Sequence, residues 1–546
     1  MNAIPTGSFA KHGSVCRSWI VAAATILVLA AFTPPASAQF LGPAIQGELS
    51  RTASNAKSEA LKQRLKDIAA AYAKTAYSPI WISGGKPTAK AEQMVDALNL
   101  AYEDGLHPDD YDAVQLFQKL GATNAAGLAD LEVHLTTAAV SYAQHMNSGR
   151  LNPRQVNREI VIYPKAIATE TILANMRKTQ NIKAYVRLIA PRTQRYERLR
   201  QALAAYRRIE AVGGFIKVPE GPAIKAGAAD ARISTIRQRL AQEGFLRGGG
   251  GGLVYDAALV DAVKRFQEQH GLKAEGLLGP QTIKEMNISA SARVLTLELN
   301  MERNRWLQNE FAPYHVFANL ADQVVKLVKN DDTLHAEVIQ VGQPYFRTPV
   351  FTDVMETIEF NPYWNVPPSI AVNEYLPKLR KNPGVLSGEN IKVLSGNGAV
   401  SATAVNWSSL GKGNFPYSLR QDPGPGNALG RVKFLFPNEY NVYMHDTPSK
   451  AKFDAAQRYF SHGCLRLRDP LKMAELILGP EGYSRQRIEQ IVASGKNTPI
   501  RLKTPIPVYV VYLTAFVNKD GSVHYRDDAY GRDKILAEAL SKVRGR

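Results

Sequence analysis

The chain has 546 residues, a formal net charge of +18 from 67 basic and 49 acidic side chains, and two cysteines. This length exceeds what one hydrophobic core supports, and it predicts about three domains of ordinary size. The strong positive charge favours nucleic acid, an anionic membrane surface or an acidic polymer as partner, although charge alone is equally typical of a protein that is merely kept soluble.

The first residues have the pattern of an export signal. Lys11 and Arg17 give a positive start, the stretch from Trp19 to Phe32 is apolar, and Ala36-Ser37-Ala38 is a small-residue cleavage site. The apolar run is short for a membrane anchor. We therefore expect residues 1–38 to be a cleaved signal peptide and the mature chain to lie in the periplasm.

Export limits the plausible classes of binding partner and leaves a single cysteine thiol in the mature chain. Nucleic acid is a poor partner for an exported protein, so an acidic wall polymer fits the charge better. Cleavage also removes Cys16, which leaves Cys464 as the one cysteine of the mature chain. A lone thiol in an oxidising compartment has no disulfide partner and is open to oxidation. Catalysis by its thiolate is the strongest reason for its presence.

Residues 39–218 are predicted to form a helical scaffold domain. Apolar residues recur at helical spacing, for example at Leu61, Leu65, Ile68 and Tyr72, and Gly-Pro punctuation separates the segments. Most of these apolar residues are expected to be core, without a chemical role.

A linker rich in Pro, Gly and Ala leads to a small unit over residues 228–290, which predicts three short helices around a small core. Its residues are similar to the peptidoglycan-binding domain of the three-helix type, and the similarity is carried by Tyr255, Asp256, Ala262–Gln267, His270–Leu272, Gly276, Gly279 and Thr282. A run of five glycines, residues 248–252, lengthens the first loop. That loop is either a ligand contact or a flexible connector.

From residue 294 the apolar period changes to two, which predicts a mainly β domain over residues 294–504 and a C-terminal segment over 505–546. The predicted strands are Val294–Asn300, Ala336–Val341, Thr357–Phe360, Val432–Phe436, Asn441–His445 and Val508–Leu513, with helices at Ile370–Leu379 and around Pro470–Leu478. The insertion at residues 361–427 is long and rich in Pro, Gly and Asn, and loops of that length are commonly functional. The fold class is thus α+β and multidomain.

Cys464 needs a base, because a thiol with its ordinary pKa of about 8.5 is mostly protonated at neutral pH. His445 ends a predicted strand and could supply that base. Strand neighbours point to opposite faces, so the Asp446 side chain is badly placed to orient His445. A backbone carbonyl is the expected third member.

The residues before and after Cys464 complete a plausible site. Gly463 lets the backbone turn, so that amides near Gly463 and Cys464 can face a developing oxyanion. Arg466 lies on the same side of an extended segment as Cys464 and could favour the thiolate or bind a substrate carboxylate. His462 could be structural, a proton relay or an orienting group.

The chain resembles the L,D-transpeptidase catalytic domain, in its large periplasmic branch. The matching segments are Gly149–Pro153, Gly342–Pro344, Thr348–Phe351, Asn361–Ile370, Gln421–Pro425, Asn427–Arg431, His445–Pro448 and Ser461–Arg466. The resemblance extends over nearly the whole mature chain.

This resemblance implies a function and a set of site residues. Cys464 would be the nucleophile, His445 the base, and the backbone from Ser461 through His462 and Gly463 to Cys464 the oxyanion site. The substrate would be peptidoglycan tetrapeptide stems, joined as 3-3 crosslinks without a cofactor or metal, and carbapenems would acylate the same sulfur. The substrate-binding residues implied are Tyr443, Arg466, Trp407 and Tyr417, the last two on an insertion that forms a lid over the thiol and shields it from water.

Three alternatives stay open at this stage. His445, His462 and Cys464 could bind zinc, although their spacing matches no usual zinc pattern. A cysteine endopeptidase would use the same side chains, since the order of residues along the chain does not exclude a catalytic set. A non-catalytic scaffold that binds the wall is the third, with other wall synthases as candidate partners. The sequence does not indicate an oligomeric state.

Overall fold

The computed structural model of the chain describes residues 36–248, 251–307 and 311–543. The predicted signal peptide lies almost entirely outside these residues, and so does Cys16. Within the described ranges, no helix combines the length and the apolar character that a bilayer crossing requires.

The N-terminal part is helical, as predicted. Its helices are α1 (Ala36–Asn55), α2 (Glu59–Ala73), α3 (Ala89–Asn99), α4 (Ala113–Lys119), α5 (Ala125–Ser148), α6 (Pro153–Val156), α7 (Thr169–Lys178), α8 (Ile182–Ile189) and α9 (Gln194–Ala211), with short strands β1 (Ile82–Ser83), β2 (Lys86–Pro87) and β3 (Ile160–Val161). Ser58 caps α2 by accepting a hydrogen bond from the Leu61 amide, and the helix buries Leu65, Ile68 and Tyr72. Helices α1 to α5, α7 and α8 share one apolar core, whereas the buried residues of α9 belong to a separate cluster.

Three helices then form the small unit: α10 (Ile233–Gln242), α11 (Ala257–Gln269) and α12 (Pro280–Met286). Asp256 caps α11, and Pro280 occupies the first position of α12, where a missing amide hydrogen has no cost. The three helices enclose a core of their own, which includes Phe266 and Met286. Residues 249 and 250 of the glycine run lie outside the described ranges.

The strand predicted over Val294–Asn300 is wrong, because this segment lies inside helix α13 (Ala290–Trp306). Ser289 caps the helix by accepting from the Ala292 amide. Val294, Leu297 and Met301 follow helical spacing and pack against α9. The apparent alternation arose because this helix is buried on more than one side, so apolar residues are not confined to one stripe.

The β domain is built on a closed path of eight strands. They are β4 (Tyr314–Asn319), β5 (Val324–Lys329), β6 (Asp332–Gly342), β7 (Val350–Phe360), β12 (Val432–Leu435), β13 (Met444–His445), β15 (Leu465–Leu467) and β16 (Thr498–Val511). The order is β12-β13-β15-β6-β5-β4-β16-β7, and β7 also pairs with β12, which closes the path. Strand β14 (Tyr459–Ser461) pairs with β6, and helices α17 (Pro470–Leu478) and α18 (Arg485–Ala493) pack against the same core.

The predicted lid insertion is a folded subdomain with its own core. It contains β8 (Trp364–Asn365), α14 (Pro368–Ile370), a π-helical turn (Ala371–Tyr375), α15 (Leu376–Lys381), α16 (Val385–Gly388), β9 (Ile391–Ser395), β10 (Gly398–Val400) and β11 (Ser418–Gln421). Its four strands form a separate sheet in the order β10-β9-β11-β8. The segment therefore has regular structure over much of its length.

The C-terminal segment continues the β domain. Strand β16 crosses the boundary predicted at residue 504, and its residues Val508 to Val511 pair in parallel with β4. A hairpin of β17 (Ala515–Val517) and β18 (Val523–Tyr525) and helix α19 (Arg532–Val543) follow. Helix α13 likewise crosses the boundary predicted at residue 294, so both elements join neighbouring parts of the chain.

Candidate active site

Two neighbouring parallel strands bring the predicted catalytic residues to one face of the sheet. His445 of β13 is in register with Arg466 of β15, and the Leu465 amide donates to the Tyr443 carbonyl at 3.0 Å. Residues two apart on a strand share a face, so Tyr443 and Cys464 lie one step along from His445 and Arg466 on that face. The Tyr443 and His445 rings are 5.5 Å apart between centroids, as this placement requires.

The imidazole of His445 is held by a backbone carbonyl. Its Nδ1 lies 2.5 Å from the carbonyl oxygen of Asp446. Because a carbonyl only accepts, Nδ1 carries the hydrogen and Nε2 is left as the basic nitrogen. Burial, reinforced by the charge of Arg466, lowers the pKa of His445 to about 3, so the ring is neutral at ordinary pH.

The side chain of Asp446 points elsewhere. Its carboxylate accepts from the Arg431 amide at 2.9 Å and the Thr447 amide at 2.8 Å, and it pairs with Lys450 at 2.6 Å. Burial acts to raise the pKa of Asp446, but Lys450 and these amides hold it below the ordinary value. Asp446 therefore contributes its carbonyl to the imidazole and its carboxylate to the surrounding loops.

Cys464 is the one cysteine among the described residues, and it is half-buried. Its Sγ lies 3.7 Å from the Asn441 carbonyl oxygen, to which the thiol can donate. Burial raises the pKa of the Cys464 thiol, whereas hydrogen bonds from Tyr443 and the charges of Lys433 and Arg466 act to lower it. The resting sulfur is thus a thiol, which needs a base to become a nucleophile.

Lys433 is a member of this site that sequence reasoning missed. It is in register with His445 on strand β12, and its Nζ lies 4.1 Å from the centroid of the Tyr443 ring. Burial lowers the pKa of Lys433, and Glu359 and Cys464 oppose that effect. The sequence feature that could have indicated its role is the position of a lysine between two buried apolar residues of a predicted strand.

Ser461 and Gly463 shape the turn that precedes the thiol. Ser461 is buried, and its Oγ donates to the Cys464 carbonyl at 2.6 Å and accepts from the Gly463 amide at 3.1 Å. Gly463 has φ +116°, which residues with a side chain rarely adopt. In this geometry the Gly463 amide donates to Ser461, so its expected role toward an oxyanion stays a prediction. The Cys464 amide remains the candidate donor.

Thr348 ties this turn to the C-terminal segment. Its Oγ1 donates to the Gly463 carbonyl at 2.8 Å and accepts from the Gly342 amide at 3.0 Å. The Tyr530 hydroxyl donates to the Gly342 carbonyl at 2.6 Å, and Arg532 donates to the Thr348 carbonyl at 2.9 Å. Thr348 is fully buried. The contacts made here by Gly463, Tyr530 and Arg532 join segments more than a hundred residues apart, so local sequence patterns do not indicate them.

The His462 side chain contacts the insertion. Its Nε2 lies 2.8 Å from the Glu374 carboxylate, and its ring packs on Phe346 with centroids 4.6 Å apart. In the described part of the chain, His462 does not join His445 and Cys464 in a group close enough to hold a metal ion. The geometry therefore does not support the zinc alternative.

The group that does have metal-binding spacing among the described residues is Glu48, Asp130 and His134, in the helical domain. Arg51 pairs with Glu48 at 2.6 Å, and Lys119 pairs with Asp130. These cations already neutralise the carboxylates, so the group is a surface ion-pair network.

Trp407 and Tyr417 do not occupy the positions expected of substrate-binding residues. Trp407 is 3% exposed, and its Nε1 donates to the Ala402 carbonyl at 2.7 Å. Its ring packs on Tyr417 at 5.8 Å, within the core of the insertion. The expectation for Trp407 is wrong, because this large apolar ring stabilises the subdomain from inside. Tyr417 supports it there.

A cleft of about 520 Å³ separates the insertion from the catalytic strands. Arg466 lines it on the strand side, while Trp364, Tyr375 and Glu389 line it on the insertion side. This volume is within the range of small-molecule sites. The cleft begins two residues from Cys464, which is about 7 Å along a strand.

Three family models match separate parts of the chain. Residues 66–203 match a scaffold domain, residues 229–286 a domain described as "Putative peptidoglycan binding domain", and residues 313–510 the L,D-transpeptidase catalytic domain. A Haemophilus influenzae protein described as "Putative L,D-transpeptidase" is 29% identical over 258 residues, which are 47% of this chain and 50% of that protein. The chain thus spans about half the length of this curated relative.

Solved structures give weaker similarities. An L,D-transpeptidase from Stackebrandtia nassauensis is 13% identical with a TM-score of 0.21, covering 53% of this chain and 94% of that one. An L,D-transpeptidase fragment from Xylanimonas cellulosilytica is 14% identical with a TM-score of 0.17, covering 54% of this chain and 98% of the fragment. TM-scores this low do not establish a shared fold.

The family matches confirm the resemblance read from the sequence: the chain carries an L,D-transpeptidase catalytic domain. It carries this domain together with a peptidoglycan-binding domain and a scaffold domain.

Proposed function

We propose that this protein is an L,D-transpeptidase that joins peptidoglycan stems through a thioester on Cys464. The observation that carries the proposal is the shared strand face of Cys464, Tyr443, His445 and Arg466. On this face a half-buried thiol lies one strand step from the level of an imidazole whose orientation is fixed by a backbone carbonyl. A nucleophile, a base and an orienting group are the parts that covalent acyl transfer requires.

In the first half-reaction, Nε2 of His445 takes the thiol proton, and Sγ of Cys464 attacks the carbonyl carbon of the third residue of a tetrapeptide stem. The Cys464 amide is the candidate donor to the oxyanion that forms. The C–N bond to the terminal D-alanine then breaks. The D-alanine amine leaves with the proton that the imidazolium returns, and the acyl group remains on sulfur.

In the second half-reaction, an amine on a neighbouring stem attacks the thioester. His445 accepts the amine proton and returns it to the departing sulfur, so the thiol is regenerated. The product is an amide between two third residues, a 3-3 crosslink. Because the thioester conserves the energy of the broken amide, no nucleotide is consumed. We expect carbapenems, which are acylating agents, to react at the same sulfur.

The domain matches and the sequence support peptidoglycan as the substrate and the periplasm as the location of this reaction. A peptidoglycan-binding domain on the same chain fits peptidoglycan as substrate, and the basic charge fits an acidic wall polymer. The pattern of residues 1–38 favours export. We therefore place the protein in the periplasm, at the cell wall.

The test is mass spectrometry of the purified chain after incubation with disaccharide-tetrapeptide. The expected result is an acyl adduct on Cys464 lighter by one D-alanine than the added stem, followed by crosslinked dimers. The Cys464→Ala variant should give neither. A shortened stem without dimers would indicate a carboxypeptidase or endopeptidase. Unchanged crosslinking by Cys464→Ala would favour the non-catalytic scaffold.

A further inference from the structure

The cleft between the insertion and the catalytic strands carries one unpaired charge of each sign. Among the described residues Arg466 forms no ion pair, its buried Nε has no hydrogen-bond acceptor, and its one side-chain hydrogen bond is a long one, from Nη1 to Gln340 at 3.5 Å. A guanidinium in this state is a ready partner for a carboxylate.

Glu389 is the corresponding anion on the opposite wall. Its Oε2 accepts from the Tyr375 hydroxyl at 2.7 Å, and no cation lies within ion-pair distance in the part of the chain that the structure describes. Burial raises the pKa of Tyr375, so its hydroxyl stays protonated and fixes the carboxylate. The other lining carboxylate, Asp422, is already paired with Lys392 at 2.6 Å. Glu389 is thus the carboxylate of this cleft that is left for a ligand cation.

The aromatic lining of the cleft suits a short aliphatic chain. The Trp364 and Tyr375 rings line the cleft and lie 6.3 Å apart between centroids. Aromatic walls bury methylene groups, while the two charged groups can bind a polar end. Arg466 stands about 7 Å along the strand from Cys464, and a side chain of three methylenes reaches over a comparable length.

From these features we propose that the cleft binds the zwitterionic end of the donor stem's third residue. That residue would be a diamino diacid, whose side chain ends in a carbon bearing both an ammonium and a carboxylate. The carboxylate would bind Arg466 and the ammonium Glu389, while the backbone carbonyl of the same residue faces Cys464. The inference rests on the proposed function and adds Glu389 as a specificity-determining residue.

The experiment measures the first turnover, with enzyme in excess and thioester on Cys464 detected by mass spectrometry. Two tetrapeptide stems containing diaminopimelate are compared, one with a free side-chain amine and one with that amine acetylated. The wild-type chain should form thioester roughly tenfold faster with the free amine, because acetylation removes a charge-assisted hydrogen bond. Glu389→Gln should reduce this preference to about twofold or less.

The matched control is Glu439→Gln, which makes the same change of charge on an exposed residue outside the cleft and should keep the tenfold preference. A Glu389→Gln chain with an undiminished preference overturns the inference. A wild-type chain that forms thioester equally fast with both stems also overturns the inference, because the side-chain amine would then matter only in the second half-reaction, as the attacking acceptor. Absence of thioester with either stem would instead overturn the proposed function.

A second variant covers the case in which Glu389→Gln does not fold. Tyr375→Phe keeps the aromatic wall and removes the hydroxyl that holds the Glu389 carboxylate. Its preference for the free amine should fall to roughly threefold, because the carboxylate is still charged but less well oriented. An unchanged tenfold preference in Tyr375→Phe would count against the assigned geometry.

Discussion

Nδ1 of His445 lies 2.5 Å from the carbonyl oxygen of Asp446, the next residue along the chain. The orienting group of the candidate base is therefore backbone, as expected from the alternation of side chains along a strand. A carbonyl in this place cannot be removed by a side-chain substitution. It holds the ring in the tautomer with Nε2 free, while it leaves the Asp446 carboxylate for other partners.

This division of roles predicts that Asp446→Asn leaves the catalytic set largely intact. We expect kcat/KM for crosslinking to fall by less than about tenfold, whereas His445→Gln should lower it by about 100- to 10,000-fold. Asp446→Asn should also lower the melting temperature, because Lys450 loses its ionic partner. A loss from Asp446→Asn as large as that from His445→Gln would contradict the backbone assignment.

Lys433 should affect how readily the sulfur ionises. Its charge acts to lower the pKa of the Cys464 thiol, so removing the charge should raise that pKa further. We expect Lys433→Met to react with iodoacetamide about 3- to 10-fold more slowly at pH 7, with the midpoint of the rate against pH moved upward. Lys433→Arg, which keeps the charge, is the control. Identical profiles for Lys433→Met and the wild type would exclude this role.

Thr348 is predicted to be a positioning residue, because it holds the carbonyl of Gly463 beside the thiol. Thr348→Val keeps the shape and loses the hydroxyl, so we expect kcat to fall by about 10- to 100-fold with KM little changed. Thr348→Ser keeps the hydroxyl and should restore most of the rate. The measurement is steady-state crosslinking beside a thermal melt. Equal losses of activity in the Val and Ser variants would point to packing alone.

The features that could be predicted from the sequence are those that depend on local residue patterns. The fold class is confirmed, since helical stripes marked the N-terminal domain and alternation marked most strands of the β domain. The turn around Gly463 was also predicted from the sequence, because a glycine at this position indicates a tight backbone turn. Two contacts of this site that come from distant parts of the chain, Lys433 on the Tyr443 ring and Thr348 at the Gly463 carbonyl, were not predicted.

The wrong predictions have physical causes in tertiary structure. Val294–Asn300 was predicted as a strand because a helix buried on several sides loses its single apolar stripe. Trp407 was predicted to bind substrate because it lies on a long, aromatic and Pro-rich insertion that the family resemblance implies is a lid over the thiol. The insertion instead has a core that needs a large ring. In both cases the local sequence did not indicate which other parts of the chain pack against the segment.

Buried histidines should make the fold sensitive to acid, and His270 gives a clear test. It is 4% exposed, its ring stacks on Phe266 and Tyr525, and burial lowers its pKa to about 3. An unfolded histidine titrates near 6.5, so below that pH the unfolded state binds a proton that the folded state does not. Stability is therefore lost as pH falls from about 6.5 toward 3.

For the transition that unfolds the three-helix domain, the His270 contribution should cost about 2 kcal/mol between pH 7 and pH 5. Urea unfolding of wild type and His270→Gln at both pH values measures it. The variant should be less stable at pH 7 but should lose about 2 kcal/mol less on acidification, because glutamine does not titrate. His134→Gln, in the scaffold domain, should leave the pH dependence of this transition unchanged. If His270→Gln shows the same pH dependence as the wild type, His270 has the same pKa in the folded and unfolded states, which contradicts the lowered pKa.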